Sequence, residues 1–269
     1  MSRLLILAGS GLAALMLFAM PATAQAKCLA ASQVDEPDIA RHARALDGAC
    51  IKRAFIEEAG RRWQIYTITQ GMPGPLWAVL HDNENAAFSA SVTGMRKHGG
   101  TILAVEAGEK RNFKGKDPNR NFGRKCGDAR RYTAFIMGLA HAHGSVVAVH
   151  TNAPGFSGDG RGGSGHINIF RKSKVLQGRP AKRAKGPFRS GDNFVLVPAK
   201  SENLARRRIR ALHRQGAHAM YERVTKRGND CSMSNHAVLT GFTDYMNVEV
   251  AHGQTKTAEA LIEKALRAR

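Results

Sequence analysis

The sequence predicts an α/β fold: a single domain with a mixed, mostly parallel sheet flanked by helices. Three observations lead there. Short apolar runs of strand length alternate with longer segments whose apolar residues recur at helical spacing. The 269 residues suffice for one good-sized domain, and no internal repeat is visible. Charged residues make up 23% and hydrophobic ones 43%, a globular balance that excludes wholesale disorder.

The elements follow in order. Val34, Ile39, Ala43, Leu46, Ile51, Ala54 and Phe55 fall mostly three or four apart, which predicts a helix over 34–59. Strands at 63–69 and 76–80 flank the turn Gly71-Met72-Pro73-Gly74-Pro75. A helix over 86–97 stops at Gly99-Gly100, and a strand at 101–105 follows. Residues 107–128 are polar and read as a loop. A helix over 129–142 ends before Gly144, and 145–150 is a tight buried strand. Residues 155–165 form a Gly-rich loop, which lacks the following helix that a phosphate cradle needs. The stretch 171–190 is the most basic, either a solvated loop or an anion-binding surface. A strand at 193–197, a long basic helix over 201–227 capped by Ser201, a strand at 245–250 and a helix over 255–269 complete the domain.

The first 26 residues stand apart. Met1-Ser2-Arg3 is a positive start, Leu4 to Met20 is apolar, and Ala24-Gln25-Ala26 is a small-residue cleavage pattern. Together they predict a signal peptide over 1–26 and a mature domain over 27–269, periplasmic or secreted. No other segment approaches membrane length, so no membrane contact is expected after cleavage. Cys28, Cys50, Cys126 and Cys231 all follow the cleavage point, and an even number in an exported chain favours disulfides. Three connectivities are open. Cys28–Cys50 would tie the N-terminal segment to the first helix and leave Cys126–Cys231 for the core. Without a Cys-x-x-Cys, a thiolate metal site or redox motif is disfavoured. The net charge of +20 suits anionic surroundings such as a cell-envelope polymer, with no nucleic acid expected as partner.

Four constellations carry the chemistry. In Leu80-His81-Asp82-Asn83-Glu84 a strand delivers a His at its carboxyl end, where ligand sites of open α/β sheets lie, and a Glu follows three residues on. Imidazole with carboxylate suits zinc, although a surface His beside a helix-capping Glu gives the same pattern. Ser145-Val146-Val147-Ala148-Val149-His150 ends a second buried strand in a His. A His–Glu–His set leaves a fourth metal position open to water, as a catalytic site needs. In Tyr245-Met246-Asn247-Val248-Glu249-Val250 a carboxylate interrupts an apolar strand. It is either an edge residue on a solvated face or a general base whose pKa is raised by apolar walls. In Asp117-Pro118-Asn119-Arg120-Asn121-Phe122, an Arg flanked by amides can hold a carboxylate with two parallel hydrogen bonds, and the Asp can orient a ligand His.

In this order the four segments resemble the zinc carboxypeptidase family, the carboxypeptidase A-like metallopeptidases, from about Trp77 to Gly253. That family carries His-x-x-Glu, then Asp-x-Asn-Arg-Asn-aromatic, then a strand-terminal His, then a Glu on a late strand. The resemblance implies a carboxypeptidase-like fold and one Zn2+ per chain on His81, Glu84 and His150. It implies that Glu249 activates the zinc-bound water and passes its proton to the leaving amine. It implies that Asn119 and Arg120 hold the substrate's free carboxylate and that Asp117 orients His81. Arg111 is the nearest counterpart of the family's carbonyl-polarising Arg, at a different spacing. The family's mobile-loop Tyr has no clear match, and Thr151 stands where many members have Ser.

Two classes of function follow. One is an exported zinc hydrolase of an amide bond next to a free carboxylate, acting on peptides or peptidoglycan-derived peptides, or alternatively on N-acyl amino acids. The other is a non-catalytic basic protein that binds anionic cell-envelope polymer. Metal content and a Glu249→Gln variant separate them.

Overall fold

The computed structural model describes residues 27–123, 126, 129–152, 167–170 and 173–269. The expected signal peptide at 1–26, the Gly-rich loop at 155–165 and the basic residues Arg171 and Lys172 lie outside the described residues.

Nine strands form one sheet: β1 (Cys50–Glu58), β2 (Arg61–Thr69), β3 (Leu76–Val79), β4 (Thr101–Glu106), β5 (Val146–Thr151), β6 (Leu176–Arg179), β7 (Phe194–Ala199), β8 (His218–Arg223) and β9 (Tyr245–Val250). Their order is β1-β2-β4-β3-β5-β9-β7-β8-β6. The middle of the sheet, β4-β3-β5-β9, is parallel throughout. Antiparallel pairing joins β1, β2 and β4 on one side, and β9 to β7 and β8 to β6 on the other, with β7 and β8 parallel. This is the mixed α/β sheet that the sequence predicts.

Period-two alternation sorts the strand side chains onto two faces, both covered. Trp77, Val79, Val147, Val149, Val195, Val197, Met246 and Val248 pack under α2 (Asn85–His98), α4 (Glu202–Arg214) and α6 (Thr255–Leu266). Leu76, Ala78, Leu80, Val146, Ala148 and Tyr245 pack under α3 (Arg130–His143) and α5 (Met233–Thr240). His150, Asn247 and Glu249 alternate with the first set, so they project from the α3/α5 face. The central strands read as near-continuous apolar runs because both faces are buried, which is why 76–80, 101–105, 145–150 and 245–250 were legible as strands.

Two expectations are corrected. The helix predicted over 34–59 is only α1 (Pro37–Arg41), five residues long, and the rest of that stretch turns and becomes β1. Its register with β2 sets Glu58 opposite Arg61, so Ala59-Gly60 is a two-residue hairpin turn. Both residues have positive φ, 50° and 70°, the geometry that matches strand twist. Pairing across the hairpin overrides the weak helical spacing. The helix predicted over 201–227 is α4 followed by β8. Gly216 at φ 69° ends the helical stretch, and the carbonyl oxygen of Arg183 lies 2.8 Å from where a Cβ would stand. Ser201 occupies the position before α4, but its side chain makes no capping bond. The predicted basic loop at 171–190 contains β6 and a short 3-10 helix, Gly186–Arg189.

Both cysteine pairs are joined. Cys28–Cys50 anchors the segment around Cys28 to the edge strand β1, not to a helix, and Cys126–Cys231 closes 105 residues. No described helix is long and apolar enough to cross a membrane.

Candidate active site

The site is built on the carboxyl ends of β3 and β5. Leu80 and His81 follow β3 directly, and His150 is the penultimate residue of β5. Glu84 occupies the N-cap position of α2 but makes no capping bond. Its carboxylate turns inward instead. Glu84 Oε1 lies 2.8 Å from His81 Nδ1, and Oε2 lies 3.0 Å from His150 Nδ1 and accepts from Thr151 N at 3.0 Å. All three side chains are buried. The helix-capping reading of Glu84 is therefore excluded.

The donor set fits a metal ion. His81 Nε2 donates to Asp117 Oδ1 at 2.8 Å, which leaves Nδ1 as the lone pair of the neutral ring. That lone pair faces both His150 Nδ1 at 3.1 Å and the Glu84 carboxylate. One ligand atom from each of His81, Glu84 and His150 lies within 4.8 Å of the others. Lone pairs and carboxylate charge converging in a buried space require a cation or protons among them. Without metal, protons fill the role. Burial alone would lower the His81 imidazole, but the Glu84 charge and the bonds from Asp117 and Glu84 outweigh it and raise it to about 9. Burial opposes ionisation of Glu84 too, yet the two imidazoles hold it far below the usual range. His81 and Arg111 likewise overcome burial at Asp117 and hold it at about 2.

Glu249 pairs in register with His150 across the parallel β5–β9 ladder, so both side chains leave the same face one strand apart. Glu249 is buried and faces this site, which removes the solvated-edge reading. Asn247 Nδ2 donates to its Oε1 at 2.9 Å. Burial raises its pKa, against the pull of His150 and with a further push from Glu84.

The 117–122 segment forms the neighbouring wall. Asp117 caps a 3-10 turn, Pro118–Arg120, by accepting from Asn119 N at 2.7 Å, while also holding His81. Asn119 Oδ1 accepts from Met233 N at the start of α5, 3.0 Å away. Arg120 donates to Asn119 O at 2.9 Å, sits 3.4 Å from Asp230 and is 43% exposed at the cavity rim. Arg111 donates to Glu84 Oε1 at 2.9 Å, so it lies against the metal-ligand cluster itself. The residues to which the resemblance gives a role in the site reach this one place: His81, Glu84, Arg111, Asn119, Arg120, His150 and Glu249 all line a cavity of about 430 Å3, and Asp117 stands behind His81.

The sequence assigns no role to Asn247, Thr151 or Glu222, which also line the cavity. Asn247 had a signal, because it sits two residues from Glu249 on the same strand face. Glu222 had none, because its segment was read as helix. A second buried group, Glu36, Asp38 and Asp82, also brings carboxylates together, at the far side of β3.

No protein-family model matches the chain, and no curated protein matches its sequence. Among solved structures it is similar to a candidate metallopeptidase from Shewanella denitrificans, at 12% identity and a TM-score of 0.44, covering 85% of this chain and 87% of the other. It is also similar to a candidate carboxypeptidase from Burkholderia mallei, at 13% identity and a TM-score of 0.41, covering 85% and 66%.

Proposed function

We propose that the protein is an exported, zinc-dependent amide hydrolase that cleaves next to a free carboxylate, as in the zinc carboxypeptidases that its motifs resemble. One observation carries the reading. Two buried imidazoles and a carboxylate face one point, and a buried Glu stands one strand away on the same face. His81 and His150 through Nδ1, with Glu84, would hold the ion. When bound, zinc supplies Lewis acidity, which polarises the scissile carbonyl and makes water acidic enough to attack near neutral pH.

The chain's own residues do the rest. Glu249 takes a proton from the attacking water and delivers it to the departing nitrogen, so the carbonyl gains an OH and the amine leaves neutral. A pKa raised by burial suits both steps. Asn247 orients the Glu249 carboxylate through its 2.9 Å bond. Asp117 fixes the His81 ring so that Nδ1 faces the ion. Arg120, its guanidinium at the rim beside Asn119, holds the substrate carboxylate. Arg111 places a positive charge against the ligand cluster, where oxyanion charge develops. The substrates are peptides, including peptides released from peptidoglycan. The disulfides and the predicted signal peptide support export.

Zinc analysis and turnover together test this. The purified protein should hold about one zinc per chain. Glu249→Gln should keep the zinc and lose turnover. No zinc after loading, or unimpaired hydrolysis by Glu249→Gln, overturns the assignment.

A further inference from the structure

The cavity has a second functional wall. Two cations that line it are already committed: Arg111 to Glu84 at 2.9 Å and Arg120 to Asp230 at 3.4 Å. Glu222 has no ion-pair partner within 4 Å among the described residues. It is 5% exposed, its Oε1 accepts from Asn235 Nδ2 at 2.6 Å, and its Oε2 has no hydrogen-bond partner among the described residues. A buried carboxylate without a counter-charge is costly. It is also against the grain of a chain with 41 Lys+Arg and 21 Asp+Glu, where cations were plentiful. Burial pushes the Glu222 carboxyl up to about 7, with Asp230 adding to the shift, against the weaker pull of Ser234, Asn235 and the more distant Arg120 charge.

Register places Glu222 relative to the catalytic end. On β7, Phe194 stands opposite Glu249, and Leu196 opposite Asn247. On β8, His218 stands opposite Phe194, and Glu222 opposite Pro198. Even steps along paired strands keep side chains on one face, so Glu222 and Glu249 both project into the cavity. Two strand spacings across and four residues along separate their Cα atoms by about 16 Å. Leu196 lies between them on β7, and Leu176 also lines the cavity. An extended aliphatic chain can follow such a wall, and only a long side chain reaches its end.

We propose that Glu222, assisted by Asp230, is a binding site for a primary ammonium, so that the enzyme selects peptides whose C-terminal residue carries a long amine-bearing side chain. The substrate class rests on the hydrolase reading above; the ammonium site itself does not. Substrate binding would also free Asp230, since a carboxylate that occupies Arg120 weakens the Arg120–Asp230 pair.

The test uses zinc-loaded protein and matched peptides ending in lysine or norleucine, which differ by the ammonium group. Turnover is measured on the peptides, and binding is measured separately by calorimetry on N-acetyl-lysine and N-acetyl-norleucine. The expected result is a preference for lysine of about tenfold or more in both readouts, typical of a charge-assisted hydrogen bond. Glu222→Gln, which can keep the Asn235 bond, should reduce that ratio to near one, and Asp230→Asn should reduce it several-fold. Equal turnover of the two peptides by the wild type overturns the ammonium site and leaves the hydrolase reading standing. No turnover of either, with a lysine binding preference that Glu222→Gln erases, upholds the ammonium site and overturns the hydrolase reading. A preference that survives in both variants overturns the assignment to Glu222 and Asp230.

Discussion

Replacing Cys126 and Cys231 by alanine unties the segment that carries Arg120 from the one that carries Asp230. The disulfide closes 105 residues, against 22 for Cys28–Cys50. On the chain-entropy relation, a loop of that length restricts the unfolded state by about 4.7 kcal/mol, and the shorter one by about 3.4 kcal/mol. Among the described residues, the contacts that remain across the seam include Phe122 N to Cys231 O at 3.0 Å, Met233 N to Asn119 Oδ1 at 3.0 Å, the Phe122–His236 ring contact at 6.3 Å and the exposed Arg120–Asp230 pair. Each hydrogen bond contributes about 1 kcal/mol and cannot replace the cross-link. Cys231 has φ 68°, in the left-handed region, and alanine is as strained there as cysteine. The alanine pair therefore reports the cross-link and not a change in backbone strain. Urea unfolding followed by circular dichroism should show a loss of about 4 to 5 kcal/mol for Cys126→Ala/Cys231→Ala, and a smaller loss for Cys28→Ala/Cys50→Ala. Zinc content should be retained under folding conditions, because His81, Glu84 and His150 lie outside the untied segments. A loss below about 1 kcal/mol, or the reverse ranking of the two pairs, would refute the reasoning.

Three further outcomes are expected. Asp117→Asn keeps an oxygen for His81 Nε2 and Asn119 N but removes the charge, so zinc affinity should fall about 10- to 100-fold in a chelator competition; unchanged affinity would free Asp117 of its orienting role. If Arg120 clamps the substrate carboxylate, wild type should prefer free over amidated C-termini by about 30- to 1000-fold, and both Arg120→Lys and Arg120→Ala should lose most of that preference, because an ammonium lacks the planar fork; equal discrimination in all three proteins would remove Arg120 from the site. Glu222 has a folded pKa raised from 4.5 to about 7 by burial, so its contribution to stability is present below about pH 4.5 and is lost as pH rises through 7. That change amounts to about 3 kcal/mol, and Glu222→Gln should gain about this much over wild type at pH 8 while matching it at pH 4. Parallel pH profiles of the two proteins would show that Glu222 titrates normally.

The sequence by itself determined the class of fold and picked out the polar positions that gather around one cavity. His81, His150 and Glu249 were legible because each polar residue sits in or at the end of an apolar strand buried on both faces, where it stands out and must be partnered. Asp117 and Arg120 were legible because Asp-Pro-Asn-Arg-Asn-Phe is a dense local pattern whose cap bond is short-range, although the bond from Asp117 to His81 spans 36 residues. Local spacing failed where pairing partners lie far along the chain. The 50–58 stretch takes its form from nine residues of β2, and 218–223 takes its form from β7 and β6, so neither revealed its face or its period. Only the tertiary structure could turn Glu84 away from its helix end, pair Arg111 with it, and bring Glu222 into the same cavity with no ion-pair partner among the described residues. Those outcomes depend on which strands lie side by side, and strand order is set by burial summed over the whole sheet, which no local window contains.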